Sequence, residues 1–148
     1  MKQRWILAAA AAACSLASLP ASATGATAEF VVVGANSSHG TMRAMLCTEE
    51  ERFPNGCKLV LSAPAKVEGT SLVFSNLAPG RYALSVLDDE DDSGTLGVSR
   101  VSGKPKGIAF SNNVTGPGGV PTFGLAAVDV KVAGFKQTVK LHAFAFGR

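Results

Sequence analysis

The chain is poor in the residues that most chemistry needs. It holds two histidines, one Tyr, one Trp and three cysteines. A nucleophile needs an adjacent base and a group that orients it, and His39 and His142 are the only histidines that could serve. No basic run with interleaved aromatics occurs, which leaves a nucleic-acid role without support. No apolar run reaches the roughly 20 residues of a membrane span. Beyond the N-terminal segment there is no helical periodicity.

That N-terminal segment reads as a secretory signal peptide. Lys2 and Arg4 give a short positive start, residues 6–19 an apolar Ala-rich stretch, and Ala21-Ser22-Ala23 a small-x-small cleavage signal. The alternative of an uncleaved anchor fails on length. A second small-x-small site, Ala26-Thr27-Ala28, allows a cut as late as residue 28. A lipoprotein cut before Cys14 lacks the large aliphatic residue expected three positions earlier. The expected domains are therefore a signal peptide over residues 1–23 and one domain over residues 24–148. The expected address is the periplasm or the medium. Of 14 Lys and Arg, removing Lys2 and Arg4 leaves 12 against 11 acids. The near-neutral balance says little about partners. Cys14 leaves with the signal, and Cys47 and Cys57 remain as an even pair. In an exported chain this predicts a disulfide, closing a loop of about ten residues.

What is plentiful is β pattern and glycine. Residues 29–34 are β-branched and apolar. Residues 41–47 place Met42, Ala44 and Leu46 on one face, and turn formers between them suggest a hairpin. Residues 58–63 and the surroundings of Val73-Phe74 are further strands. Residues 82–87 read as a central strand buried on both faces. A Gly- and Pro-rich stretch from 95 to about 123 reads as irregular. Residues 126–132 and 138–146 close the set, with His142 on a strand surface. About seven strands without helix predict an all-β antiparallel sandwich.

The charge is segregated. Asp88-Asp89-Glu90-Asp91-Asp92 holds five of the 11 acids, and Glu49-Glu50-Glu51 three more. Five adjacent carboxylates repel one another unless water, salt or a cation screens them. Asp89-x-Asp91-x-Ser93-Gly94 matches the first half of a calcium loop, where alternate oxygens converge and Gly permits the bend. Asp88 and Asp92 are possible additional ligands. Arg100 stands where the bidentate acid of such a loop belongs. The competing reading is a solvated acidic turn, or one neutralised by Arg100, Lys104 and Lys106 folding back as surface ion pairs.

Phe74-Ser75-Asn76-Leu77-Ala78-Pro79-Gly80-Arg81-Tyr82 resembles a turn of prealbumin-like modules. It implies a transthyretin-like sandwich in which Pro79, Gly80 and Tyr82 shape the turn. Asn36-Ser37-Ser38-His39-Gly40, Phe53-Pro54, Leu77-Ala78-Pro79-Gly80-Arg81-Tyr82, the acidic loop, Phe110-Ser111-Asn112-Asn113 and Pro121-Thr122-Phe123 occur in that order. Together they resemble the DUF2141 family of exported bacterial proteins, over nearly all of the mature chain. The resemblance implies an address and an architecture but no activity. Its loop motif has a further Asp where Gly97 stands, and acids where Lys106 and Gly124 stand. The function expected from the sequence is a non-catalytic exported module with a binding or structural role, any partner being an unknown protein or small ligand met through its loops. The alternatives are the same module stabilised by calcium at residues 88–94, or an unrecognised hydrolase.

Overall fold

The structure is a computed structural model that describes residues 25–144. The expected signal peptide and its cut after Ala23 lie outside the described residues. The later cut site does not. Ala26 and Ala28 are buried in the first strand.

Among the described residues nine strands form two sheets. They are β1 (Ala26–Val33), β2 (Thr41–Thr48), β3 (Leu59–Pro64), β4 (Thr70–Leu77), β5 (Gly80–Asp89), β6 (Gly107–Phe110), β7 (Val128–Val130), β8 (Phe135–Lys140) and β9 (His142–Ala143). The smaller sheet has the order β4-β1-β8. The larger runs β3-β2-β5-β6-β9, and β7 pairs with the start of β5. The all-β sandwich expected from the sequence is what forms, with three corrections. The strand count is nine rather than seven, because the four-residue β6 lies inside the Gly- and Pro-rich stretch and the last strand divides in two. β1 and β2 are not a hairpin, because they belong to different sheets. One pairing, β1 with β8, is parallel.

The core follows from period-two alternation. β1 contributes Phe30 and Val32, β2 contributes Met42, Ala44 and Leu46, and β5 contributes Tyr82, Leu84 and Val86. Phe30 meets the edge of Phe74 at 6.4 Å between centroids and Phe135 at 5.6 Å. β5 is central, with β2 on one side and β6 and β7 on the other. Its outer face carries Ala83, Ser85 and Leu87. The chain passes from β4 to β5, and so between sheets, through Ala78 and Pro79. The Tyr82 hydroxyl donates to the Ala78 carbonyl at 2.7 Å and fixes that corner, as in the tyrosine corner of other sandwiches. Gly80 has ordinary space around it, so Tyr82 rather than Gly80 holds the turn.

Cys47 and Cys57 are joined by a disulfide. It ties β2 to a loop in which the Glu51 carboxylate accepts from the backbone N–H groups of Thr48 and Lys58. Phe53 leans inward against Phe110 and Phe123.

Replacing both cysteines with Ala is expected to lower stability by roughly 2–3 kcal/mol, from the entropy of the closed loop. Leu84→Ala, at the centre of the core, is expected to cost about 2–5 kcal/mol. Urea unfolding measures both, and an unchanged midpoint in either variant contradicts the corresponding contact.

Candidate functional site: the acidic strand end and the cleft beside it

The acidic run does not form a common loop. Asp88 and Asp89 are the last residues of β5, and alternation sends them to opposite faces. Asp88 faces the core side, near Gly107 and opposite Met42. Its Oδ1 is buried with no hydrogen-bond partner among the described residues. Burial, aided by Glu90 and Asp89, pushes its carboxyl up to about 6. Asp89 lies on the outer face, fully buried.

Glu90 accepts from Ser37 at 2.8 Å and from Ser102 at 2.5 Å, which ties the β1–β2 turn to the loop before β6. Hydrogen bonds from Ser102, Ser99 and Ser37 hold its carboxyl below the usual range against the effect of burial. Asp92 accepts from the Thr41 hydroxyl at 2.7 Å. The repulsion expected of five adjacent carboxylates is relieved at Asp89 and Asp91 by a shared cation and persists at Asp88.

Asp89, Asp91 and Ser93 do converge, as the spacing suggested, and Asp88 and Asp92 do not join them. At the point of convergence lies the ammonium of Lys106. Its Nζ is 2.6 Å from Asp89 Oδ1, 2.5 Å from Asp91 Oδ1, 2.6 Å from Ser93 Oγ and 2.8 Å from the Thr95 carbonyl. The side chains of Lys106, Asp89 and Asp91 are 1%, 0% and 4% exposed. Lys106 is thus no surface ion pair, which corrects the sequence reading. The second oxygens are also satisfied. Asp89 Oδ2 accepts from Arg43 Nε at 2.7 Å and from the Gly94 N–H at 2.8 Å. Asp91 Oδ2 accepts from the Arg100 N–H at 2.9 Å and from its Nε at 3.3 Å.

Burial alone raises a carboxyl pKa and lowers an amine. At Asp89 burial pushes up, but the bonds from Lys106, Arg43 and Gly94 outweigh it and hold the group charged. The Lys106 bond, with the Arg100 N–H, holds the Asp91 carboxyl far below the ordinary range. At Lys106 burial pushes down, and the two carboxylates reverse it. Two backbone features let the loop close. Gly94 has φ +74°, in the left-handed region. Gly40 has φ +75°, and a Cβ there would lie 2.2 Å from the Asp89 carbonyl oxygen.

Beside this cluster, on the outer face of the larger sheet, lies a cleft of about 340 Å³. Ser85, Leu87, Ile108 and Phe110 belong to its strand floor. The loop after β5 gives Gly94 and Leu96 to one wall, and Val120 comes from the loop after β6. Arg43 stands at its edge, held by Asp89. His142 lies against Phe110, at 6.4 Å between ring centroids. Its Nε2 is buried without a partner among the described residues, so it is not the free surface residue expected. His39 is exposed in the β1–β2 turn.

A model of the family described as uncharacterized proteins conserved in bacteria, DUF2141, matches residues 31–138. The chain belongs to the DUF2141 family. Neither the search of curated proteins nor the search of solved structures found a match. The family match spans both sheets, the cluster and the cleft.

Two features escaped the sequence reading. The first is the burial of Lys106: its folding back onto the acids was expected, but as a surface pair, and nothing local marks it as buried. The second is a clasp at Ser111-Asn112-Asn113, whose side chains reach other segments. Ser111 Oγ accepts from the Leu84 N–H and donates to the Ala126 carbonyl at 2.5 Å. Asn112 Nδ2 donates to the Leu125 and Ala127 carbonyls. Asn113 bridges the Thr138 carbonyl and the Lys140 N–H. Both Asn have positive φ, which that residue type tolerates.

Asp88 yields a pH prediction. Its folded pKa near 6 exceeds the unfolded value of about 3.9. The folded protein binds this proton more tightly, so the contribution is fully present below about pH 4 and is lost as pH rises through 6. Asp88→Asn is expected to raise stability at pH 7.5 by about 1–2 kcal/mol after allowance for solvent screening, with the gain vanishing near pH 4. Urea midpoints across that range test it, and a gain independent of pH counts against it.

Proposed function

We propose that this protein is an exported, non-catalytic binding module whose cleft on the outer face of the larger sheet takes a small, largely apolar molecule. The observation that carries the reading is the cleft itself. Its volume falls in the range of ligand sites. Its floor is a rigid sheet and its walls are loops, among them Pro54 and Asn55 of the disulfide loop, the arrangement in which binding commonly resides.

Export rests on the signal-like N-terminus and on the Cys47–Cys57 disulfide, a bond that persists in oxidising compartments. Among the described residues no helix is long and apolar enough to cross a membrane. A binding rather than catalytic role is supported by the state of the ionisable groups near the cleft. Asp89, Asp91 and Arg43 are committed to one another or to Lys106, which leaves them poorly placed to exchange protons with a substrate.

The apolar fluorophore 1-anilinonaphthalene-8-sulfonate is expected to bind the folded protein saturably. Ser85→Phe, which fills the cleft floor, is expected to abolish that binding while moving Tm by only a few degrees, about 1 kcal/mol in stability. Fluorescence that does not saturate, or that survives the substitution, overturns the cleft as the site. Fractionation of expressing cells, with N-terminal sequencing of the processed chain, tests export. A mature chain starting near Thr24 is expected, since a later cut would remove Ala26 and Ala28 from β1.

A further inference from the structure

The loop after β5 has the donor order of a calcium site. Counting Asp89 as first, the side chains at positions one, three and five are Asp89, Asp91 and Ser93. Position six is Gly94, and position seven, Thr95, turns its backbone carbonyl inward. A calcium loop places ligands at one, three, five and seven, with the seventh from the backbone and Gly at six. Here all four oxygens point at the same nitrogen, within 2.5–2.8 Å.

We infer that Lys106 is an internal substitute for a divalent cation, its ammonium filling the centre of a calcium-type oxygen cage. The ammonium gives its three protons to Asp89 Oδ1, Ser93 Oγ and the Thr95 carbonyl. Asp91 Oδ1 adds a fourth oxygen as an ion pair, so charge as well as hydrogen bonding gathers oxygens round Nζ, as it would round a spherical ion. The charge count agrees. Calcium loops close at position twelve with a bidentate acid. Here position twelve is Arg100, whose N–H and Nε bond Asp91. A centre of charge one needs fewer carboxylates than a centre of charge two, and the closing residue has the opposite sign. Three of the four Nζ–O distances already fall within the calcium–oxygen range of about 2.3–2.6 Å, and only the Thr95 carbonyl, at 2.8 Å, lies beyond it.

The inference separates native protein from variant. Native Tm is expected to differ by less than about 1 °C between chelator and ~5 mM calcium, because the position is taken. Lys106→Ala is expected to lose about 10 °C or more in chelator, since it strands two buried carboxylates. Calcium, but not potassium chloride of equal ionic strength, is expected to restore about 5 °C or more of that loss. Adding Asp91→Asn to Lys106→Ala is expected to remove the restoration. If the Ala variant fails to fold in chelator, Lys106→Gln, which keeps part of the apolar stem, gives the same reading. A calcium-dependent Tm in the native protein overturns the inference. So do Lys106 variants that behave identically in calcium and chelator. Probe binding is measured on the native protein, whose cage is intact, so the two proposals fail separately.

Discussion

The ammonium of Lys106, buried between Asp89 and Asp91, is the interaction on which the arrangement of this end of the molecule depends. A buried charge is tolerated only where oxygens replace its water, and here four do. Removing one partner from such a group typically costs about 3–5 kcal/mol, a large part of the roughly 5–15 kcal/mol that holds a domain together. The position of Lys106 in the chain extends the effect. It directly precedes β6, and its backbone N–H donates to the Gly97 carbonyl at 2.9 Å. One residue therefore anchors the loop leaving β5, the loop arriving at β6 and the last strand residue of β5. A solvated acidic turn could supply none of this, since surface pairs contribute under about 1 kcal/mol each.

A second set of polar contacts does comparable work at the other end of β6. Ser111, Asn112 and Asn113 follow the strand and reach the carbonyls of the segment before β7 and the backbone of β8. Through them the larger sheet is joined to the smaller one by hydrogen bonds as well as by the apolar core. Buried backbone groups that lie outside a ladder must find partners. Short side chains with both donor and acceptor atoms fill that need where the chain leaves its strand. The motif that helps mark the family is thus explained by architecture. β6, only four residues long, is held by its ladders with β5 and β9 and, just beyond its ends, by side-chain bonds.

Most of the sandwich was legible in the sequence because burial imposes alternation. Met42, Ala44 and Leu46, and then Tyr82, Leu84 and Val86, announce their faces without reference to partners. Pairing was less legible, because it is non-local. β1 and β2 look like a hairpin in sequence, yet β1 bonds to β4 and β8 across long separations. The last strand reads as continuous because Val139 and Leu141 share a face. The chain nevertheless changes sheets at Leu141, whose N–H donates to the Val33 carbonyl. At the site, the convergence of Asp89, Asp91 and Ser93 was legible from spacing alone. What fills their centre was not. A lysine's exposure cannot be read from its neighbours in sequence when the groups that bury it come from another segment.

The cage and the cleft share a wall. Gly94 and Leu96 line the cleft, and between them Thr95 gives its carbonyl to the Lys106 ammonium. The position of that wall is therefore set by the cation rather than by apolar packing alone, since Leu96 itself is half exposed. Arg43 extends the link at the same end, because it borders the cleft and its Nε shares Asp89 Oδ2 with the Gly94 N–H. A change of charge within the cage consequently reaches Arg43 and the Gly94–Leu96 wall together. An ion drawn from solution would make that geometry depend on the surroundings. An ammonium carried on the chain makes it a property of the fold itself.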